Sequence, residues 1–137
     1  MITPKELLLK SNYLWGDFLA TVYIIDDEET IQYLYKEGLA LEGHKIVGTA
    51  SNGLKAINDI EKLKKYPDVI ILDHRMPLKT GLETLREIKN HKIGSKSKIL
   101  FITADPTVRE EAGKLGVTHF IQKPFSILKL AKMISRL

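Results

Sequence analysis

From residue 21 onward, short apolar runs alternate with stretches of helical periodicity. TVYIID, KIVGTA, DVIILD, KILFIT and VTHFIQ read as five strands. Most of them are rich in β-branched residues and apolar on both alternate positions, which suits inner strands covered by helices on both faces. The first intervening helix is expected over residues 28–41, with Ile31, Leu34, Tyr35 and Leu39 recurring at helical spacing and Gly43 as its stop. A second follows over residues 51–63, with Leu54, Ile57 and Ile60 on one face, until Pro67 breaks the chain. Pro77 and Gly81 mark a tight loop before a third helix over residues 81–91. Asp105-Pro106 opens the fourth as a cap followed by proline at the first helical position, and Gly116 ends it. Ser126 is the expected cap of the last helix. The succession is (βα)5 with right-handed crossovers, an α/β fold in one domain over residues 21–137.

Polar residues sit where these runs stop. Asp26 and Asp27 follow the first, Asp73 the third, Thr103 the fourth and Lys123 the fifth. In a parallel sheet all five residues gather at the carboxyl edge, where open α/β sheets hold their ligands. Three acids, one hydroxyl and one ammonium at one edge point to a cation-assisted phosphate site.

A chain of 137 residues can bury a core, and its 44% hydrophobic and 28% charged residues are ordinary for a globular protein. No apolar stretch approaches the roughly 20 residues that cross a bilayer. The N-terminus lacks the basic start and long apolar core of a signal peptide, so a cytoplasmic protein without membrane association is expected. The absence of cysteine excludes disulfides, thiolate metal sites and cysteine nucleophiles. A net charge of +4 raises the question of nucleic acid. The basic residues are scattered, however, with a small cluster only at Lys62, Lys64 and Lys65 and no nucleic-acid-binding motif beside them. Direct nucleic-acid binding is therefore not expected. His44, His91 and His119 are too dispersed for a transition-metal cluster and read as surface or loop residues. Residues 1–20 form an N-terminal extension in which Thr3 and Glu6 have capping-box spacing. Its aromatic residues either cover the domain's own surface or meet a partner, including a second copy in a homodimer.

Taken together, Asp26-Asp27, Asp73 to Pro77 with Gly81, Thr103-Ala104 and Lys123-Pro124-Phe125 resemble the receiver domain of two-component response regulators. The resemblance implies a flavodoxin-like, doubly wound parallel sheet with strand order 2-1-3-4-5. It makes Asp73 the phosphoacceptor, taking a phosphoryl group from a sensor histidine kinase or a histidine phosphotransfer protein. An aspartate suits this role because it is ionised at neutral pH and needs no base. Its difficulty is charge, which Mg²⁺ relieves by bridging carboxylate and phosphoryl oxygens. The family pattern makes Asp27, Asp73 and the carbonyl of Arg75 direct ligands, and Asp26 a ligand directly or through water. Lys123 would neutralise a phosphoryl oxygen, and its bond to Pro124 resembles one that is cis in the family. Thr103 would offer its hydroxyl to another oxygen, leaving space for Phe120, the switch aromatic, to turn inward and signal to an output protein. Arg75 and Asp105 occupy positions that influence the lifetime of the acyl phosphate. Alternation should turn His74 away from the Asp73 site.

Other readings compete. A phosphatase of the haloacid-dehalogenase type also uses an aspartyl phosphate and Mg²⁺, but it wants an acid where Arg75 stands. A receiver-like scaffold that is never phosphorylated usually loses part of the acid set, which is complete here. Dinucleotide binding would need a glycine-rich turn after the first strand, where Asp26 to Glu29 stand instead. A receiver of this kind modifies itself and turns over no separate substrate, so a conventional enzyme is not expected.

Overall fold

Five strands pair in parallel in the order β2-β1-β3-β4-β5, as the sequence reading anticipates. They are β1 (Thr21–Ile25), β2 (Lys45–Ala50), β3 (Val69–Asp73), β4 (Lys98–Ile102) and β5 (His119–Ile121) in a computed structural model that describes residues 19–76 and 79–137. The helices are α1 (Glu29–Leu41), α2 (Gly53–Glu61), α3 (Gly81–Lys89), α4 (Ile93–Lys96), α5 (Pro106–Lys114) and α6 (Ile127–Ser135). Residues 1–18, with the expected capping box, and Pro77 lie outside the described residues.

Strand alternation sorts the core into two layers. On one face Val22, Ile24, Ile71, Leu100 and Ile102 meet Tyr35 and Leu39 of α1 and Leu130, Ala131 and Ile134 of α6. On the other, Tyr23, Ile25, Ile70, Leu72 and Phe101 meet Ala56 and Ile60 of α2, Leu85 and Ile88 of α3, and Ala112 of α5. Asp105 and Ser126 cap α5 and α6 as expected, accepting hydrogen bonds from Thr107 N–H at 2.9 Å and Lys129 N–H at 3.1 Å. Gly43 and Gly116 end their helices with φ of 94° and 95°, a left-handed backbone that side chains with a Cβ rarely adopt.

Three details depart from the sequence reading. Leu34 and Leu54 face solvent, at 49% and 61% exposure, while the sheet takes Tyr35 and Leu39 from α1 and Gly53, Ala56 and Ile60 from α2. The buried strip of α2 is made of smaller residues because the helix lies close to α3, so close that a Cβ on Gly53 would collide with Thr84. The one-turn helix α4 has no periodic signal in four residues, yet it buries Ile93 completely. His44 is not a surface residue but is 2% exposed, its Nε2 3.1 Å from the Ala131 carbonyl of α6. That cover comes from a helix far along the chain, so nothing near His44 in sequence announces it.

Leu39→Ala should destabilise the protein by about 2–5 kcal/mol, because it empties a fully buried site. Leu54→Ala should change stability by less than about 0.5 kcal/mol. Urea unfolding of the two variants checks this; equal losses would contradict the assignment of the buried faces.

Candidate functional site

Register brings the acids together. Ile25 of β1 pairs with Leu72 of β3, so the next residues, Asp26 and Asp73, leave the sheet side by side. The backbone N–H of Asp26 donates to the Ala50 carbonyl at 3.0 Å, which carries the β1–β2 ladder one residue past the strand. Oxygens of Asp26, Asp27 and Asp73 all lie within 4.8 Å of one another. Asp26 and Asp73 are buried, at 1% and 3% exposure, while Asp27 is exposed. Asp26 Oδ1 accepts from the Glu28 N–H at 2.9 Å, and Gln32 Nε2 donates to the Asp26 carbonyl at 2.6 Å. The start of α1 thus clamps the first acid.

Lys123, on the loop after β5, puts its ammonium 3.4 Å from Asp73 Oδ1. The Lys123-Pro124 peptide is cis. The Arg75 backbone N–H also bonds the Asp73 carboxylate, while the Arg75 side chain is exposed. Close packing sets the far wall of the site: Gly81 donates its N–H to the His74 carbonyl at 3.0 Å, and a Cβ there would stand 2.6 Å from the Asp73 carbonyl oxygen. Only glycine allows α3 to start so near β3.

Burial pushes the Asp26 carboxyl up to about 6, against the opposing hydrogen bond from Glu28 and with the neighbouring Asp73 charge adding to the rise. Burial also raises Asp73, while Lys123 and the Arg75 N–H pull it back. The second Asp26 oxygen, Oδ2, is buried without a hydrogen-bond partner among the described residues. An unpartnered buried carboxylate oxygen facing two more carboxylates fits a small hard cation, which takes oxygen ligands. Asp26, Asp27 and Asp73 are the residues available to hold it.

Thr103 follows β4, and its Oγ1 accepts from the Asp105 N–H at 3.0 Å. Asp105 is engaged as the cap of α5, and no Arg75–Asp105 ion pair occurs among the described residues. His74 turns to the opposite face from Asp73, as alternation requires, with its ring 6.1 Å from that of Phe101. Phe120 is half-buried. Its ring stands edge-on to Phe101 at 6.4 Å and carries the Arg109 guanidinium 4.9 Å from its centroid. Arg109 and Gln32 were missed by sequence reasoning. Each acts through a helix packed back on the sheet, and neither stands in a motif.

The family model for the response regulator receiver domain matches residues 22–135. The chemotaxis protein CheY of Thermotoga maritima is 30% identical over 117 residues, which is 84% of this chain and 94% of that protein. Among solved structures, the chemotaxis response regulator CheY4 of Vibrio cholerae superposes with a TM-score of 0.76 at 29% identity, covering 85% of this chain and 97% of that one. The receiver domain of the sensor histidine kinase PA1611 from Pseudomonas aeruginosa, crystallised with magnesium coordinated in its active site cleft, shares the fold at 24% identity. Its TM-score is 0.73, and the match covers 85% of this chain and 95% of that one. Among the described residues, no helix is long and apolar enough to cross a membrane.

The raised Asp26 pKa has a direction in stability. Between pH 3.8 and about 6 the folded protein keeps a proton on Asp26 that the unfolded chain has lost. Stability from this residue is therefore full at low pH and falls as pH rises through that window. Buried His44, whose pKa burial lowers, acts oppositely on acidification, so the reading is a difference between variants. In chelator, Asp26→Asn should melt higher than the unsubstituted protein, by a margin that grows as pH rises to about 7. Differential scanning fluorimetry across pH checks it, and a margin independent of pH would contradict the assignment.

Proposed function

The chain belongs to the response regulator receiver domain family, and we propose that Asp73 is the residue on which it takes up a phosphoryl group. As a member of that family it is a phosphorylatable receiver of two-component signalling. Receiver domains work with histidine kinases or phosphotransfer proteins and with output partners, and bind Mg²⁺ at an acidic pocket. The observation that carries the residue assignment is the convergence of Asp26, Asp27 and Asp73 within 4.8 Å, with the Lys123 ammonium 3.4 Å from Asp73.

In the proposed step, one Asp73 oxygen attacks the phosphorus of a phosphohistidine. The P–O bond forms as the P–N bond breaks, and the released imidazole takes a proton from solvent. Asp73 must be ionised to attack. The Lys123 ammonium and the Arg75 N–H favour that charge against burial. Asp26, Asp27, Asp73 and the Arg75 carbonyl would hold Mg²⁺, which would supply positive charge to offset the carboxylates and the phosphoryl oxygens. Once the phosphoryl group is in place, Lys123 leaves Asp73 for a phosphoryl oxygen. The step occurs once per receiver and converts no separate substrate. The arginine at position 75, where a dehalogenase-type phosphatase needs an acid, argues against turnover of free phosphate esters.

Signal readout in this proposal runs through Thr103 and Phe120. Turning the Thr103 hydroxyl to the phosphoryl group loosens its contact with the Asp105 N–H at the start of α5. Phe120 lies half-buried between Phe101 and Arg109 of α5, so a shift of α5 changes the packing around its ring. Two arrangements of one aromatic side chain then convert a local charge event into a changed surface for an output protein. This exchange would take place in the cytoplasm. A homodimer contact through residues 1–20 would make their deletion lower the mass seen in sedimentation, and an unchanged mass would exclude it.

Incubation with acetyl phosphate and Mg²⁺ should add one phosphoryl group by intact mass. The addition should vanish with chelator and in Asp73→Asn, and slow by roughly tenfold or more in Lys123→Ala. A protein that binds Mg²⁺ yet gains no mass would instead be a scaffold that keeps the pocket unused. For the readout, a phosphoryl mimic should shift the amide resonances of α5 and β5. Shifts confined to the residues around Asp73 would rule out Phe120 as the switch.

A further inference from the structure

At the opposite, amino edge of the sheet lysines gather, with Asp68 beside two of them and its carboxylate accepting the Thr21 N–H at 2.9 Å. Between the starts of β4 and β5, beneath the end of α3, lies a hollow of about 340 Å³. Lys89, Lys96, Lys98, Thr118 and His119 line it, and no lining residue is acidic. None of the three lysines makes an ion pair among the described residues. Lys89, the last residue of α3, reaches over Gly116, with its Nζ 3.7 Å from where a Cβ would be. Gly116 has a left-handed backbone that favours glycine, and the ammonium lies at ordinary contact distance from it.

The hydrogen-bonding inventory narrows the ligand. Ser95 and Ser97 also line the hollow, but their hydroxyls donate to the Lys92 carbonyl at 3.0 Å and the Pro67 carbonyl at 2.6 Å. The backbone N–H groups of Gly94, Ser95 and Ser97 are spent inside α4 and its flanks. The donors left free are three ammonium groups, the Thr118 hydroxyl and the His119 ring. Three like charges around one small space repel each other, and a monovalent carboxylate would offset only one. A multiply charged phosphate answers several ammonium groups at once. The volume suits a molecule of about mononucleotide size, small for a peptide or a lipid surface.

We propose that this hollow binds a phosphorylated small molecule, held by its phosphate on Lys89, Lys96 and Lys98. The site lies roughly 15 Å from Asp73, the length of β4, and does not depend on the phosphoacceptor reading. It nevertheless touches the same elements, because Lys98 begins the strand that ends at Thr103 and His119 precedes Phe120. A ligand here therefore bears on the two strands that carry the proposed readout.

The test is an amide-resonance titration of the full chain with inorganic pyrophosphate and, separately, ADP. Chelator is present to keep Mg²⁺ out of the acid pocket, and ionic strength is held constant with sodium chloride. Saturable shifts are expected at residues 94–98 and 116–119. Lys89→Ala and Lys98→Ala should each weaken binding by about tenfold, with Lys62→Ala unchanged and all three spectra still dispersed. Saturation by ADP but not by pyrophosphate would also support the site and show that it reads more than the phosphates. Shifts that grow linearly, that spread equally over Lys62, Lys64 and Lys65, or that survive both substitutions would overturn it in favour of a merely screened basic surface.

Discussion

Three carboxylates held together, two of them out of water, set the terms for the rest of this fold. Asp26 and Asp73 are almost wholly buried, and with Asp27 their oxygens share a space less than 5 Å across, against one ammonium from Lys123. Like charges at that separation repel, and burial removes the water that would screen them. The arrangement survives because the strands behind it are among the most deeply buried parts of the chain: Ile24, Ile25, Ile71 and Leu72 are all 0% exposed. Core packing holds the acids where electrostatics would part them. The pocket is thereby left short of positive charge.

Lys123 connects that tension to the remainder of the domain. It is paired with Asp73 at 3.4 Å, and it stands on the loop that leaves β5. Thr103 is similarly engaged with the Asp105 N–H at the start of α5, and Arg109 of the same helix lies over Phe120. The groups around Asp73 thus hold contacts with neighbouring elements. Those contacts lead to one side of the sheet, through β4, β5 and α5. Charge is also distributed unevenly along the strands, with three acids at their carboxyl ends and, at the amino end around β4, three lysines that form no ion pair among the described residues. A net charge of +4 conceals this polarity.

Much of the site was legible because parallel strands end together. Runs such as VIIL and ILFI stop at Asp73 and Thr103, and in a parallel sheet simple termination places those residues at one edge. Caps at Asp105 and Ser126 were legible for the same reason, since a cap depends on groups only a few residues away. Helix faces were read less well. Leu34 and Leu54 match the period yet face solvent, because the width and direction of a buried strip depend on how closely neighbouring helices approach. His44 looked like a loop residue and is core, covered by α6.

The sequence by itself determined the α/β order, the parallel sheet and the identity of the acids, hydroxyl and lysine at its carboxyl edge. These follow from local periodicity and from where apolar runs end, which are properties of neighbouring residues. Tertiary structure alone decided the 3.4 Å reach of Lys123 to Asp73, the orphaned oxygen of Asp26, the guanidinium over Phe120 and the gathering of lysines at the amino edge. Each joins residues distant in the chain, and their separations are set by strand register and by how far each helix stands from the sheet. Such distances are fixed when two packed core layers close on each other, and no short stretch of sequence contains them.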